Sequence, residues 1–179
     1  MNKLLPLRRA VSADAAAVRA LTRTAYSKWV SVIGREPLPM SADYDRAVAQ
    51  HIIDLWEEDG QLLALIEVIP AADHLLIENI AVRPDHQGKG VGERLLLHAE
   101  GLARSMGLDE IQLYTNAAFA SNLAFYSRRG YQEYRRGTVV PGSITVYMLS
   151  LCPQSFGRIS EMRSLISPPR QMHSRRTRI

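Results

Sequence analysis

The stretch Leu76–Gly107, LIENIAVRPDHQGKGVGERLLLHAEGLARSMG, decides the fold, because it joins a buried strand to a long helix through a glycine-rich turn. The apolar run predicts a strand over residues 75–82. Apolar residues recurring every three or four positions predict a helix over 92–105 that ends at Gly107. The turn between them, residues 87–92, lies where unpaired backbone N–H groups and the helix dipole attract anions. The sequence therefore predicts a site for a phosphate-bearing ligand.

The glycine spacing of this turn narrows the kind of ligand. A P-loop needs a lysine followed by serine or threonine after its last glycine, and this turn has neither. A dinucleotide fingerprint needs G-x-G-x-x-G and an acid after the next strand, but here the spacing is G-x-G-x-G and that strand ends in Tyr114-Thr115-Asn116. A third interpretation is a pyrophosphate held by successive turn amides, with glycines because a Cβ would keep phosphates away from the backbone. A turn that serves only helix–strand packing stays open as the plainer alternative.

Length and composition indicate one globular domain. The chain has 179 residues, of which 46% are hydrophobic and 22% charged. Its single cysteine, Cys152, excludes an internal disulfide framework and fits the reducing cytoplasm. The sequence shows no apolar run of the kind found in signal peptides or membrane spans. We expect a cytoplasmic protein without a membrane partner.

The net charge of +4 comes from the C-terminal end of the chain. Residues 152–179 carry six arginines and one acid, a net +5, so the other 151 residues sum to −1. A domain of that charge does not predict a nucleic-acid surface. We therefore expect a folded domain over residues 1–151 and a basic, mobile tail over 152–179. The alternative for the tail is a basic arm for an acidic partner such as DNA.

Apolar patterning predicts an α+β fold around a mixed, mostly antiparallel sheet. Asp59-Gly60, between two apolar runs, is a strong hairpin signal. The order strand, glycine turn, helix, strand predicts a parallel βαβ crossover. Candidate helix caps are Ser12 or Asp14 for the first helix and Ser41 for the second. Besides the elements above, the predicted strands cover residues 4–9, 51–57, 61–69, 111–115, 131–135 and 144–151. The first predicted helix runs from its cap at 12 or 14 to about 26 or 29, and the other predicted helices cover 41–50 and 122–129.

Two motifs, separated by about 35 residues, resemble those of the GNAT superfamily of acyl-CoA N-acyltransferases. They read Ile80-Ala81-Val82-x-Pro84-x-x-Gln87-Gly88-Lys89-Gly90-Val91-Gly92 and Asn122-x-x-Ala-Phe125-Tyr126-x-x-x-Gly130-Tyr131. The resemblance covers about residues 4–151 and implies a layered α/β/α domain in which a parallel strand pair is splayed. It also implies acetyl-CoA as cosubstrate, no metal, and direct acetyl transfer to a primary amine in a ternary complex.

The resemblance implies how acetyl-CoA is held. The backbone of Ile80, Ala81 and Val82 would pair with the pantetheine arm, and the Val82 N–H would face the acyl carbonyl. Amides of Gly88 through Glu93 would hold the pyrophosphate. Lys89 either adds charge there or is a solvated turn residue. The full set of cosubstrate-binding residues implied is Ile80, Ala81, Val82, Gln87, Gly88, Lys89, Gly90, Val91, Gly92, Glu93 and Asn122.

For catalysis, the resemblance implies that Tyr126 is the general acid that protonates the departing thiolate. Glu78 is the candidate general base, although a water relay can replace it and the residue can also be an ordinary sheet carboxylate. Asn122 departs from the family pattern, which places an asparagine seven residues before the tyrosine. This chain has Phe119 there and a further asparagine at Asn116.

The sequence says least about the identity of the amine acceptor. The family builds its acceptor pocket from N-terminal helices, which in this chain carry Tyr26, Trp29, Met40, Asp43 and Tyr44. Aromatic rings with an acid suggest a cationic amine. A small amine, a drug-like amine and a peptide N-terminus or lysine all remain open, as does a homodimer. A CoA-binding sensor with little catalysis is the alternative from a different functional class.

Overall fold

The structure, a computed structural model, describes residues 5–152, so the basic tail predicted from residue 152 onward lies almost wholly outside the described residues. Seven strands form a single sheet. They are β1 (Leu7–Arg9), β2 (Ile52–Glu58), β3 (Gln61–Pro70), β4 (Leu75–Val82), β5 (Glu110–Asn116), β6 (Gln132–Val140) and β7 (Ser143–Leu151). The helices are α1 (Ala15–Tyr26), α2 (Val30–Ile33), α3 (Tyr44–Gln50), α4 (Val91–Ser105) and α5 (Ala120–Arg128). Among the helices of residues 5–152, none combines the length and the hydrophobicity that a membrane span requires.

The sheet order is β1-β2-β3-β4-β5-β7-β6, and neighbouring strands are antiparallel except for β4 and β5. The predicted fold class, an α+β domain with a mostly antiparallel mixed sheet and one parallel crossover, is confirmed. Helix α4 makes that crossover. The last hairpin places β7 beside β5 and leaves β6 at the edge.

Both faces of the sheet are buried at β2, β3 and β4, and strand alternation assigns each side chain to one face. On β3, Ala64, Ile66 and Val68 belong to the apolar cluster that includes α4, whereas Leu65 belongs to the cluster of α1 and α3. Helix α5 packs on the α4 side. The result is the three-layer α/β/α arrangement that the family resemblance implies.

A bulge in β4 separates the parallel pair. Glu67 of β3 is opposite Asn79, but the next residue, Val68, is opposite Ile77, which leaves Glu78 as an extra residue on β4. The β4–β5 ladder runs only from Leu75 to Ile77. Beyond Ile77 the two strands no longer pair, although β5 stays paired with β7 as far as Asn116. The splayed pair is therefore present, and the bulge lies at the point of separation.

Some element ends differ from the sequence predictions. Ser41 does not cap α3, the second of the predicted helices. It ends a 3-10 turn instead, and the chain is extended at Ala42. The cap is Asp43, whose Oδ1 accepts from the Arg46 N–H at 3.1 Å. The last hairpin is also longer than predicted, since β6 continues to Val140.

The layered core predicts that two leucines of α4, two positions apart, contribute unequally to the free energy of unfolding. Leu95 is fully buried against the sheet, whereas Leu97 is 37% exposed. We expect Leu95→Ala to lower the free energy of unfolding by about 2 to 5 kcal/mol, because it leaves a cavity in a packed core. Leu97→Ala should cost less than about 1 kcal/mol. Urea denaturation followed by circular dichroism measures both, and equal losses would contradict the assigned helix face.

Candidate active site

Two cavities meet where β4 and β5 separate. The first, of about 310 Å³, lies over β4, β5 and β7, and the second, of about 360 Å³, lies at the N-terminus of α4. Four residues line both cavities: Tyr26, Ile80, Asn122 and Tyr126. These four side chains mark the junction at which a ligand in one cavity can meet a ligand in the other.

The second cavity gathers most residues of the predicted cosubstrate set. The exceptions are Ala81, whose side chain is buried in the α1 core, and Lys89, which is exposed in the turn. Neither one lines the cavity. The lining members of the set are Ile80, Val82, Gln87, Gly88, Gly90, Val91, Gly92, Glu93 and Asn122.

Glycine is favoured in the turn for two different structural reasons. Gly88 and Gly90 have φ angles of 74° and 79°, a left-handed backbone that favours glycine, and a Cβ built on either would meet open space. Gly92 lies in the helix, and a Cβ there would lie 3.2 Å from Cζ of Phe125. The first two therefore shape an open turn, and the third allows α5 to pack closely on α4.

The free edge of β4 faces the gap. The N–H of Arg83 donates to the Leu63 carbonyl of β3 at 2.9 Å. Because backbone groups alternate along a strand, the N–H and C=O of Val82 and Ile80 point the other way, toward β5. The Nε2 of Gln87 donates to the Val82 carbonyl at 2.9 Å, which ties the turn to the strand. The edge thus offers backbone groups to an extended ligand.

Two basic side chains of the second cavity, Lys28 and Arg129, were not predicted from the sequence. Lys28 Nζ donates to Gln87 Oε1 at 2.7 Å, and Arg129 pairs with Glu93 at the helix N-terminus. Trp29, which was expected in the acceptor pocket, lines this cavity instead. Lys28 and Trp29 precede the turn by about 60 residues and belong to no motif, so only the tertiary structure brings them there.

Phe119 stands where the family pattern has an asparagine, and it is buried. Its ring stacks on Trp29 with centroids 4.2 Å apart. Asn116 is held locally, since its amide donates to Ser143 Oγ at 2.7 Å and its Oδ1 accepts from the Ala118 N–H. Asn122 is the asparagine that lines both cavities.

Tyr126 lies at the junction of the two cavities in a buried environment. Burial raises the pKa of Tyr126 to about 12. Its phenol therefore stays protonated through the neutral range and is available as a proton donor. Tyr26 lies close by, with a pKa well above its usual value because of burial and the proximity of Tyr126, and its hydroxyl donates to Asn79 Oδ1 at 3.0 Å.

Glu78, the bulge residue, lines the first cavity together with Tyr114 of β5. The Tyr114 hydroxyl donates to Glu78 Oε1 at 2.5 Å, across the gap between the strands. Burial and this carboxylate both raise the pKa of Tyr114 above its usual range. The bulge thus places one carboxylate beside the junction, supported by a phenol that stays protonated.

The five residues expected to form an acceptor pocket lie in different places. Tyr26 lines the first cavity, Trp29 lines the second, and Met40 is buried. Asp43 and Tyr44 line a third cavity that adjoins the first. Arg35 also lines the first cavity, so the lining of this cavity carries a basic side chain as well as the acidic Glu78.

Comparison with known proteins agrees with this geometry. The profile of the acetyltransferase (GNAT) family matches residues 16–131. Streptothricin acetyltransferase of Streptomyces lavendulae is 33% identical over 103 residues, which cover 53% of this chain and 54% of that protein. Spermidine N(1)-acetyltransferase of Thermoplasma acidophilum is 27% identical over 74 residues, covering 41% and 46%. The matches thus span about half the length of these relatives.

Solved structures share the fold over nearly their whole length. A GCN5-related N-acetyltransferase from Rhodopseudomonas palustris superposes with a TM-score of 0.69 at 21% identity, over 83% of this chain and 96% of that one. PaiA N-acetyltransferase from Thermoplasma acidophilum, solved in complex with coenzyme A, gives 0.67 at 17% identity, over 81% and 98%. At such identities the similarity concerns the fold alone.

Proposed function

This chain belongs to the GNAT family of acetyltransferases, and we propose that it transfers an acetyl group from acetyl-CoA directly to a primary amine. The observation that supports this most is the position of Tyr126, which lines both cavities at their junction. One cavity then holds the acetyl donor and the other holds the amine. Both substrates are present together, as a ternary complex requires.

Acetyl-CoA is assigned to the second cavity. The pantetheine arm would lie along the free edge of β4, where Ile80 and Val82 offer backbone groups as a strand partner would. The pyrophosphate would lie at the turn 88–93, on the amides of the α4 N-terminus. Lys28 lines the same cavity and adds a positive charge. Its bond to Gln87 can be exchanged for one to a phosphate oxygen.

Transfer follows from groups at the junction. The amine nitrogen attacks the thioester carbonyl, and the Val82 N–H stabilises the oxyanion that develops. As the C–S bond breaks, the Tyr126 hydroxyl donates its proton to the sulfur. Glu78 takes the proton that the attacking nitrogen loses. Within the described chain, we assign no step to Cys152, which is buried near the end of β7.

A small amine is the acceptor that the first cavity favours. Its lining combines the Glu78 carboxylate with the rings of Tyr26, Tyr114 and Tyr147, which suit an ammonium group. Streptothricin and spermidine, the compounds named in the two relatives, are also amines. A peptide acceptor, a homodimer, a cytoplasmic location and a role for the basic tail remain predictions.

Tyr126→Phe tests the proposed acid. We expect kcat to fall about 100-fold, because the thiolate would leave without a proton donor. Release of free thiol from acetyl-CoA with a screened amine acceptor measures kcat. Tyr134→Phe is the control, since Tyr134 is exposed on β6 and contacts Gln112. An unchanged kcat in Tyr126→Phe would assign this phenol to packing.

Glu78→Gln tests the proposed base. We expect kcat/KM to fall about 100-fold near neutral pH, because the amine can no longer pass its proton to a carboxylate. The deficit should shrink toward pH 10, where a growing fraction of an acceptor amine is already neutral in solution. A deficit that stays constant with pH would indicate a structural role. The control is Glu58→Gln, an exposed acid at the end of β2.

Gly90→Ala tests the cosubstrate site. Gly90 and Gly107 both have left-handed backbones and flank the two ends of α4. Each alanine should destabilise the fold by about 1 to 2 kcal/mol. We expect only Gly90→Ala to weaken CoA binding, on the order of tenfold, because its turn amides lose their orientation. Isothermal titration with CoA measures this, and equal affinities in the two variants would refute the assigned phosphate site.

A further inference from the structure

A third cavity, of about 410 Å³, adjoins the first one. The two cavities share part of their walls, so a ligand in the first can extend toward the third. The remaining wall of the third cavity comes from α3, from Ala42 and Asp43 just before it, and from His51 and Glu67. The lining residues common to both cavities are Leu38, Pro39, Glu78, Asn79 and Tyr114.

Acidic side chains outnumber basic ones around this cavity. Its carboxylates are Asp43, Glu67 and Glu78, and its basic groups are Arg46 and His51. Both basic groups already have partners. Arg46 Nε donates to Gln50 Oε1 at 2.8 Å, and His51 Nδ1–H donates to Glu67 Oε1 at 2.6 Å.

Glu67 forms the floor of this cavity, and it is a buried carboxylate, since its side chain is only 4% exposed. Burial raises the pKa of Glu67, the bond from His51 opposes the rise, and the nearby carboxylate of Glu78 adds to it. The β3–β4 register explains this proximity, because Glu67 is opposite Asn79, the neighbour of Glu78. A cation near both carboxylates would relieve their repulsion and offset the free-energy cost of burying Glu67.

We infer that the third cavity holds a second ammonium group of the acceptor, so that the enzyme selects small diamines or polyamines over monoamines. The inference rests on the proposed function, because the first ammonium group is the amine that Glu78 deprotonates. Asp43 at the rim and Glu67 at the floor would bind the second ammonium. An acceptor must then be long enough to reach from the junction past Glu78 and Tyr114.

Diaminoalkanes of increasing chain length test this inference against alkylamines with the same number of carbons. We expect diamines to have the higher kcat/KM, with an optimum in chain length. Asp43→Asn should lower the ratio of diamine to monoamine kcat/KM about tenfold, because a charge-assisted bond is lost. Asparagine is as good a helix cap as aspartate, so α3 should persist. Glu67→Gln should lower the ratio too, while keeping an acceptor for His51.

Asp45→Asn is the matched control, with the same change of charge on the same helix. Asp45 is exposed, pairs with Arg19 and does not line the cavity. Equal ratios in Asp43→Asn and Asp45→Asn, or no preference for diamines in the wild type, would overturn the inference.

Calorimetric binding of the same amines to the CoA-loaded enzyme separates this inference from the proposed function. Diamine binding that weakens in Asp43→Asn, without any acetyl transfer, would support the cavity assignment and refute the proposed function. If diamines and monoamines are both acetylated and bind with equal affinity, the proposed function is supported and the assignment of the third cavity is refuted.

Discussion

One extra residue in β4 governs the rest of the site. Glu78 is inserted opposite the Glu67–Val68 step of β3, and the parallel ladder to β5 ends at Ile77. The ladder to β5 thus ends where the bulge begins, before it reaches the backbone groups of Ile80 and Val82. The bulge leaves them free at the edge of a gap. The same residue supplies the carboxylate beside the junction, so one local irregularity produces both the binding edge and the candidate base.

A broken ladder is tolerable because the surrounding layers hold both strands in place. Strand β4 stays paired with β3 on both sides of the bulge, and β5 keeps its full ladder to β7. Leu95 and Ala99 of α4 are fully buried on one face, and Val18 of α1 is fully buried on the other. Packing on both faces therefore holds the two strands apart without backbone hydrogen bonds across the gap, and the Tyr114–Glu78 side-chain bond links them there.

The sequence was most informative where local chemistry decides the structure. The strand, turn and helix around Gly88 and Gly90 follow from apolar periodicity and backbone freedom, so they were predictable, as was the parallel crossover. Features set by tertiary contacts were not. Lys28 reaches the turn across nearly 60 residues, and the choice of Asp43 over Ser41 as a cap depends on where a preceding 3-10 turn ends. Neither has a local signal that periodicity can detect.

Charge in this protein matters by position, not by sum. Outside the arginine-rich C-terminal region the chain is close to neutral, yet its cavities differ in character. Lys28 and the helix N-terminus face the cavity assigned to phosphates, whereas Glu67 and Asp43 face the one assigned to a second ammonium. Tyr126 lies at the junction of the first and second cavities, and its phenol carries no charge at neutral pH, since burial raises its pKa still further above the neutral range, to about 12. A neutral group at the junction lets an anionic donor and a cationic acceptor approach from opposite sides, each toward its own complementary field.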